Sequence, residues 1–474
     1  MKIEQLYTNC LAEAAYYIES DGEAAIIDPL RETKPYTERA AKDGAVIKYI
    51  LETHFHADFV SGHVDLAKKT GATIVFGPTA SPAYDAHIAK DSEVLKLGGV
   101  QIKILHTPGH TMESTTYLLI DENGKDHAIF TGDTLFLGDV GRPDLVQKLK
   151  AEITAEYLAG QLFDSLRKKI MPLADDVIVY PGHGAGSACG KSMSKETTDT
   201  LGHQKQFNYA LRANMTKAEF IKEVIDGLIE PPQYFPHNVL MNIGGGLKSI
   251  DEIVSVGAKP LTVKDLQTIL KDTHVMVLDT RNNQAFATAH LPGSIFIGLD
   301  DNFAPWAGTL ITNLKQPIIL ITDEGREEEA VIRLSRVGYD NTLGYLKGGV
   351  AAWKEAGNKL DTLAECSAEE FAELRIKDRG NINLLDVRRK SEYDTEHLAC
   401  AKNFPLDFIN QNMHKLNKHE KYYLHCAGGY RSVIAASILE ANGFTAIVNI
   451  KGGYKALANT ALTHTQYQKQ NTEL

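Results

Sequence analysis

The stretch THFHADFVSGH, Thr53 to His63, sets three histidines and one aspartate within eleven residues. It follows VIKYIL, Val46 to Leu51, a short apolar run that reads as a buried strand. Three other runs repeat the arrangement. VQIKIL, Val100 to Leu105, leads into HTPGH and so to His110; AIFTG, Ala128 to Gly132, leads into Asp133; VIVYPG, Val177 to Gly182, leads into His183. The alternation in VQIKIL is that of a half-exposed strand. In each of the four places a strand ends and a metal-capable side chain follows. Strand ends fanned by a common sheet converge, so these loops are expected to meet over one edge. Loop histidines that merely cap turns would not explain why every loop repeats the pattern. One position stands apart: Phe59 carries a phenyl ring, which donates nothing to a metal, where a two-metal site would want another nitrogen.

At 474 residues the chain exceeds one ordinary core, and on the order of two to four domains is expected. Hydrophobic content of 43% and charged content of 23% are those of a soluble globular protein. A formal net charge of -11 argues against a nucleic-acid footprint and a polybasic membrane anchor. No apolar run approaches the roughly 20 residues that span a bilayer, and MKIEQLYTNC has no apolar core of the secretory kind. Five cysteines without a C-x-x-C pair argue against a disulfide scaffold or a zinc knuckle. They favour a reducing compartment, with the cytoplasm expected.

Elsewhere in the first half AAIID (Ala24 to Asp28), TIVF (Thr73 to Phe76) and YLLI (Tyr117 to Ile120) read as strands, and Val64 to Thr70 reads as a helix stopped by Gly71. The character changes at Pro231 and Pro232, and IGGGLKS, Ile243 to Ser249, reads as irregular connection. The second half contains an internal repeat. VLDTRNNQAFATAHLPGS (Val277 to Ser294) parallels LLDVRRKSEYDTEHLACA (Leu384 to Ala401), PIILITDEGREEEAVIRLSRVGY (Pro317 to Tyr339) parallels KYYLHCAGGYRSVIAASILEANGF (Lys421 to Phe444), and KGGVAAW parallels KGGYKAL. Two copies of a roughly 100-residue α/β unit follow, joined near Ala364 to Ser367. Strand and helix in alternation imply a mainly parallel sheet covered on both faces.

The ordered set H-x-H-x-D, TPGHT, TGDTLF and PGHG resembles the metallo-β-lactamase fold over about Met1 to Met241. The resemblance implies an αββα sandwich with its metal at one edge of the paired sheets. The glyoxalase II branch of that fold uses H-x-H-x-D-H and two metals, and here its last histidine is Phe59. GDTLFLGDVGRPDL (Gly132 to Leu145) and PGHGAGSACGKS (Pro181 to Ser192) resemble the persulfide dioxygenase branch instead. That resemblance implies one Fe(II) per chain on His54, His110 and Asp133. A two-histidine, one-carboxylate face leaves positions open for dioxygen and a sulfur substrate, whereas zinc cannot change oxidation state. His56, Asp58 and His183 then orient ligands or waters, with direct ligation by His56 the zinc-like alternative. Arg142 could grip a substrate carboxylate bidentately or pair locally with Asp144. Cys189, in a glycine-rich loop, could line the substrate entrance and accept or pass sulfur, or be a small loop residue.

HCAGGYRS, His425 to Ser432, follows the strand YYLH and opens the helix VIAASILEANG. Cys426 there meets the backbone N–H groups of a loop containing Gly428 and Gly429, the positive helix end and Arg431, all of which favour thiolate and can receive a substrate sulfur. Cysteine and arginine separated by four residues make a loop one residue shorter than the phosphate-cradling C-x5-R loop. Residues 366–461 resemble a rhodanese domain, in which Asp386, Arg388 and His397 are expected to be architectural. Residues 260–357 keep the frame, but ITDEGREEE places Thr322 and Asp323 near the cysteine position and adds Glu324, Glu327, Glu328 and Glu329. That copy looks like an inactive rhodanese suited to docking or spacing.

The expected whole is an α/β multidomain chain: a metallo-β-lactamase sandwich over 1–241, a thiol-less rhodanese-like domain and an active one. The resemblance to bacterial persulfide dioxygenase–sulfurtransferase fusions implies oxidation of a low-molecular-weight thiol persulfide by dioxygen to sulfite, and transfer of a sulfane sulfur from Cys426 to sulfite. A zinc thioester hydrolase and a sulfur carrier with a vestigial metal domain are the alternatives. The identity of the thiol and the presence of a homo-oligomer are left open.

Overall fold

The computed structural model describes residues 1–145, 152–191, 193–228, 230–271, 274–377 and 382–465. The chain divides into two compact units, Met1–Ile253 with Ile332–Asp340, and Val254–Val331 with Asn341–Leu474.

In the first unit, β1 (Lys2–Thr8), β2 (Glu13–Ser20), β3 (Glu23–Ile27), β4 (Val46–Glu52), β5 (Thr73–Phe76) and β6 (His87–Ile88) form one sheet in chain order. A second sheet holds β7 (Val94–Leu97), β8 (Val100–His106), β9 (Thr115–Ile120), β10 (Asp126–Gly132), β11 (Ile178–Pro181) and β12 (Asp199–Thr200), again as successive neighbours. The period-two alternation of each strand decides the layering. Tyr16, Ile18, Tyr117, Leu119, Ala128 and Phe130 point into a shared core between the sheets. Tyr17 and Ile26 on the outer face of the first sheet pack with Tyr36, Ala40 and Leu66 from helices Lys34–Asp43 and His63–Thr70. Leu118, Ile129 and Val179 on the outer face of the second pack with Leu162, Phe220 and Val224 from Ala155–Ser165 and Lys217–Ile225. The result is the αββα sandwich that the motifs implied. Gly71, in the left-handed region, ends the second of these helices as expected.

The segment Ile332–Asp340 is held within the same unit. The Val60 N–H donates to the Arg336 carbonyl at 2.7 Å, the Arg336 guanidinium grips Glu32, and Arg31 meets Asp340 at 3.1 Å.

The second unit contains two five-stranded sheets in which all the recorded pairs are parallel, among the described residues. One comprises β13 (Pro260–Leu261), β14 (Met276–Asp279), β15 (Ile295–Phe296), β16 (Ile318–Ile321) and β17 (Thr342–Leu346). The other comprises β18 (Ala364–Cys366), β19 (Asn383–Asp386), β20 (Ala401–Asn403), β21 (Tyr422–His425) and β22 (Ile447–Ile450). Their strand orders match, β13-β17-β16-β14-β15 against β18-β22-β21-β19-β20, which is the internal repeat in three dimensions.

Two local expectations change. Ile243 and Gly244 belong to the helix Phe235–Gly244, because Ile243 packs against the core under the first sheet. Ala364–Cys366 is a strand, since it pairs with β22; three residues are too few to show an alternation. Among the described residues no helix is long and apolar enough to cross a membrane.

Tyr117 crosses the sandwich: its buried hydroxyl donates to the Glu52 carbonyl at 2.7 Å. Tyr117→Phe should lower stability by about 1–2 kcal/mol with little change in the denaturant slope, read by urea unfolding.

Candidate functional site

The four loops do meet, but not from one sheet. Thr53 and His54 follow β4 of the first sheet, whereas His110, Asp133 and His183 follow β8, β10 and β11 of the second. The layers are stitched at this edge. Thr115 N–H donates to the Thr53 carbonyl at 2.9 Å, and Gly182 N–H to the Gly132 carbonyl at 2.9 Å. Gly132 has φ +50°, and a Cβ there would lie 2.4 Å from Thr53 Oγ1, so only glycine allows β10 to approach β4 this closely.

His54, His110 and Asp133 present three ligand atoms within 4.8 Å of one another, all buried. The Nε2 atoms of His54 and His110 lie 3.9 and 3.5 Å from Asp133 Oδ2. Each imidazole is anchored on its far side. His110 Nδ1 faces the Arg142 carbonyl at 2.8 Å, which can only accept, so Nδ1 carries the proton and Nε2 the lone pair. His54 Nδ1 lies 2.9 Å from Thr53 Oγ1, whose own proton goes to Asp28 Oδ2 at 2.8 Å, which fixes the same tautomer. Asp133 Oδ1 accepts from His183 Nδ1 at 2.8 Å, while Oδ2 is buried without a partner. Burial and the adjacent His56 hold the His54 pKa well below its ordinary value. Burial alone would raise the Asp133 carboxyl, but His183, His110 and His54 outweigh it and hold it far below the carboxylate range. Two neutral imidazole lone pairs and one bare carboxylate oxygen fit a single divalent cation, and without one a buried carboxylate oxygen would stand uncompensated.

His183 bridges two carboxylates, Asp133 Oδ1 and Asp58 Oδ2, the latter at 2.9 Å. Burial disfavours its charge, yet Asp133 and Asp58 together raise its pKa well above the usual value. His56 does not join the trio. Its ring lies 4.2 Å from that of His54, but Nε2 faces Asp28 Oδ1 at 3.1 Å and Glu52 Oε2 at 3.6 Å. Against the cost of burial, Asp28 and Glu52 raise its pKa to about 9. Phe59 stacks on this imidazole at 4.2 Å and 27°. The side chain that replaces a histidine thus packs on the one that turns away.

Arg142 makes the local pair: Nε and Nη2 reach the two oxygens of Asp144 at 2.7 Å each, and Nη1 donates to the Ala188 carbonyl. Its bidentate fork is therefore taken, and the carboxylate-gripping role is not the one this geometry presents. Cys189 is 1% exposed and grouped with Asp58 and His183, so it sits behind the site, not at an entrance. Burial, with Asp58 adding to it, pushes its thiol pKa well up. Ser192, at the end of that stretch, lies outside the described residues.

Four further residues carry no sequence motif. Asn242, on the helix Phe235–Gly244, donates to the His56 and Phe59 carbonyls at 2.8 Å and accepts from Ser61 N–H, clamping the metal loop. Glu52 and Asp28 form the acid pair under His56. Glu13, paired across an isolated bridge with His183, has both carboxylate oxygens buried and without partners. Its burial outweighs the pull of His183 and raises its pKa well above the usual value. Only the tertiary pairing of β2 with the loop after β11 reveals it.

In the second unit Cys426 follows β21 directly, buried at 1% exposure, and Sγ accepts the Gly429 N–H at 3.1 Å. Gly429, at φ +105°, turns the chain into the helix Tyr430–Ala441. Gly428 has open space around its Cα. Arg431 is bound through both Nη atoms to Glu392 at 2.6 and 2.8 Å. Asp386 and Arg388 pair bidentately under the loop, as Asp279 and Arg281 do in the other copy, consistent with architectural roles. Thr322 stands first after β16, where Cys426 stands after β21, and offers no thiol.

Residues 8–183 match the metallo-beta-lactamase superfamily, and residues 262–356 and 367–460 each match the rhodanese-like domain. The chain is 30% identical over 236 residues to a probable hydroxyacylglutathione hydrolase of Schizosaccharomyces pombe, a match covering 45% of this chain and 85% of that protein. It is 28% identical over 230 residues to the mitochondrial persulfide dioxygenase ETHE1 of Homo sapiens, covering 48% and 81%. A crystal structure of a metallo-beta-lactamase from Staphylococcus aureus subsp. aureus COL is similar with a TM-score of 0.65 and 35% identity, over 73% of this chain and 98% of that one.

Gly132→Ala should displace Thr53 and with it the proton acceptor of His54. Bound metal per chain, measured by mass spectrometry after dialysis, should fall at least about tenfold.

Proposed function

The chain belongs to the metallo-beta-lactamase superfamily and carries two rhodanese-like domains; on that premise we propose that it is an iron persulfide dioxygenase coupled to a sulfurtransferase. Residues 1–241, completed by Asn242, carry the oxidation, 260–357 an inactive rhodanese frame and 366–461 the transfer. The observation that carries this reading is the direction of His56. With its imidazole turned to Asp28 and Glu52 and covered by Phe59, two histidines and one carboxylate remain.

His54, His110 and Asp133 would hold one Fe(II), which supplies redox chemistry toward dioxygen that zinc lacks. The chain's own groups prepare that face. Thr53 and the Arg142 carbonyl fix both imidazoles as neutral donors, and His183 ties down Asp133 Oδ1 so that Oδ2 stays free. The set carries one negative charge against a dication, so an anionic persulfide is electrostatically welcome. The balance is RSSH + O2 + H2O → RSH + SO3²⁻ + 2H⁺. In the second unit the Cys426 thiolate attacks the outer sulfur of a persulfide and releases RS⁻. Sulfite then attacks the outer sulfur of the Cys426 persulfide; the S–S electron pair returns to Sγ and thiosulfate leaves.

A second reading, a zinc thioester hydrolase, is favoured by the likeness to the yeast hydrolase. Metal analysis of anaerobically purified protein, with oxygen uptake on glutathione persulfide and thioester hydrolysis measured side by side, separates the two. One iron per chain and oxygen uptake are expected, and Asp133→Ala should reduce both to background. Two tightly held zinc ions with anaerobic thioesterase activity would overturn the proposal.

Cys426→Ser should consume oxygen undiminished but release sulfite in place of thiosulfate, because serine is too weak an acid to form the nucleophile. Thiosulfate:cyanide exchange by the full chain should vanish with it, since Thr322 cannot substitute. Product chromatography after thiol derivatisation checks both.

A further inference from the structure

Arg431 is five residues beyond Cys426, in the first turn of the helix that the loop opens. Yet its fork does not lie open. Both Nη atoms are held by Glu392, 39 positions earlier in sequence, at 2.6 and 2.8 Å. The other cations nearby are compensated as well: Arg388 by Asp386, and Arg389 by Asp407 at 3.2 Å. Burial would raise the Glu392 carboxyl, but Arg431 outweighs it and holds it ionised. The pair remains reachable, with side chains 18% and 35% exposed, whereas Cys426 is buried. A small anion from solvent can therefore meet the arginine at the loop's mouth.

The internal repeat supplies a control within the same chain. The Asp–Arg pair aligns the copies, Asp279 and Arg281 with Asp386 and Arg388. In that register Ala285 replaces Glu392; the strand pairs Asp279–Ile321 and Asp386–His425 then set Thr322 against Cys426 and, five residues on, Glu327 against Arg431. At those three positions the thiol, the arginine and the glutamate are all replaced in the copy that keeps the architectural pair, where Arg326, one position before Glu327, pairs instead with Glu329 of the helix that follows it. The fold therefore does not require a glutamate and an arginine at the Glu392 and Arg431 positions, and this pairing between two elements accompanies the cysteine.

We propose that Glu392 sets the oxyanion selectivity of the Cys426 loop by occupying the Arg431 fork until a sulfite or thiosulfate oxyanion displaces it. The proposal rests on the sulfur-transfer role of Cys426. A planar guanidinium pairs two oxygens at once, as sulfite and thiosulfate offer and cyanide does not. During transfer the sulfite oxygens take the fork while its sulfur lone pair attacks the outer sulfur of the Cys426 persulfide. The S–S bond breaks toward Sγ, and total charge is −3 before and after, so no outside oxidant or reductant enters. When thiosulfate leaves, the carboxylate returns. Glu392 thus keeps the pocket from holding its product, at the expense of oxyanion affinity.

The test is steady-state thiosulfate:cyanide exchange by the full chain carrying Glu392→Gln. Glutamine keeps an oxygen for the Arg389 N–H that Glu392 now accepts. KM for thiosulfate should fall about fivefold, the factor associated with releasing a partly exposed ion pair; KM for cyanide should stay within about twofold, and inhibition by added sulfite should tighten in parallel. Arg431→Ala should raise KM for thiosulfate, and Glu392→Gln should add nothing in that background. Glu392→Asp, which keeps the charge, should stay closer to the wild type than glutamine does. An unchanged or higher thiosulfate KM in Glu392→Gln, with the exchange still abolished by Cys426→Ser, would overturn the selectivity proposal alone. Exchange surviving Cys426→Ser would instead overturn the transfer role beneath it.

Discussion

Asp133 Oδ2 is a carboxylate oxygen sealed from water with no proton donor in reach, and much of the first unit is arranged around that fact. A bare buried anion is expensive unless a cation sits against it. Among the described residues His54, His110 and Asp133 turn their ligand atoms toward one another, with two further buried groups, Asp58–His183–Cys189 and Asp28–Glu52–His56, beside them. His183 is committed between Asp133 and Asp58, His56 lies over Asp28 and Glu52, and the two imidazoles left over have their protons fixed on the far side. The sandwich makes this possible by ending both sheets at the same edge, so that residues more than a hundred positions apart face each other without loops of their own to order.

The second unit shows the same economy by contrast. Two copies of one fold keep their strand order and the Asp–Arg pair beneath the loop, while the cysteine stands in only one of the loops. Contacts within the unit show what the other copy does structurally. The Tyr430 hydroxyl at the head of the helix Tyr430–Ala441 donates to the Gly298 carbonyl at 3.1 Å, and Phe296 N–H donates to Ser437 Oγ at 3.0 Å. The copy without the cysteine supplies polar partners to the helix that begins beside Cys426.

The strands that deliver His54, His110, Asp133 and His183 were legible because an apolar run and the residue that follows it are neighbours in sequence. The repeat was legible for the same reason, since DTR and DVR recur with their frames intact. What sequence could not give is where a side chain turns once it arrives. His56 is chemically as good a ligand as His54; its orientation is decided by Asp28, 28 positions earlier, and by the ring of Phe59. Arg142 was equally suited to a substrate or to Asp144, and geometry chose the nearer acid. Glu13 and Asn242 become visible only when β2 meets the loop after β11 and when a late helix reaches back to the metal loop. Glu392 and Arg431 belong to different elements of one domain, and nothing local joins them.

The short segment Ile332–Asp340 gives the chain an uncommon kind of inheritance. It is encoded inside the repeat that lacks a thiol, yet by its contacts it is part of the first unit, where its Arg336 carbonyl receives the Val60 N–H. Val60 directly follows Phe59 at the end of the metal loop. The boundary between the gene's modules and the boundary between the protein's compact units therefore fall in different places. Recombination that excised the thiol-less repeat as a cassette would carry away a piece of its neighbour, and the loop holding His54 would lose an anchor.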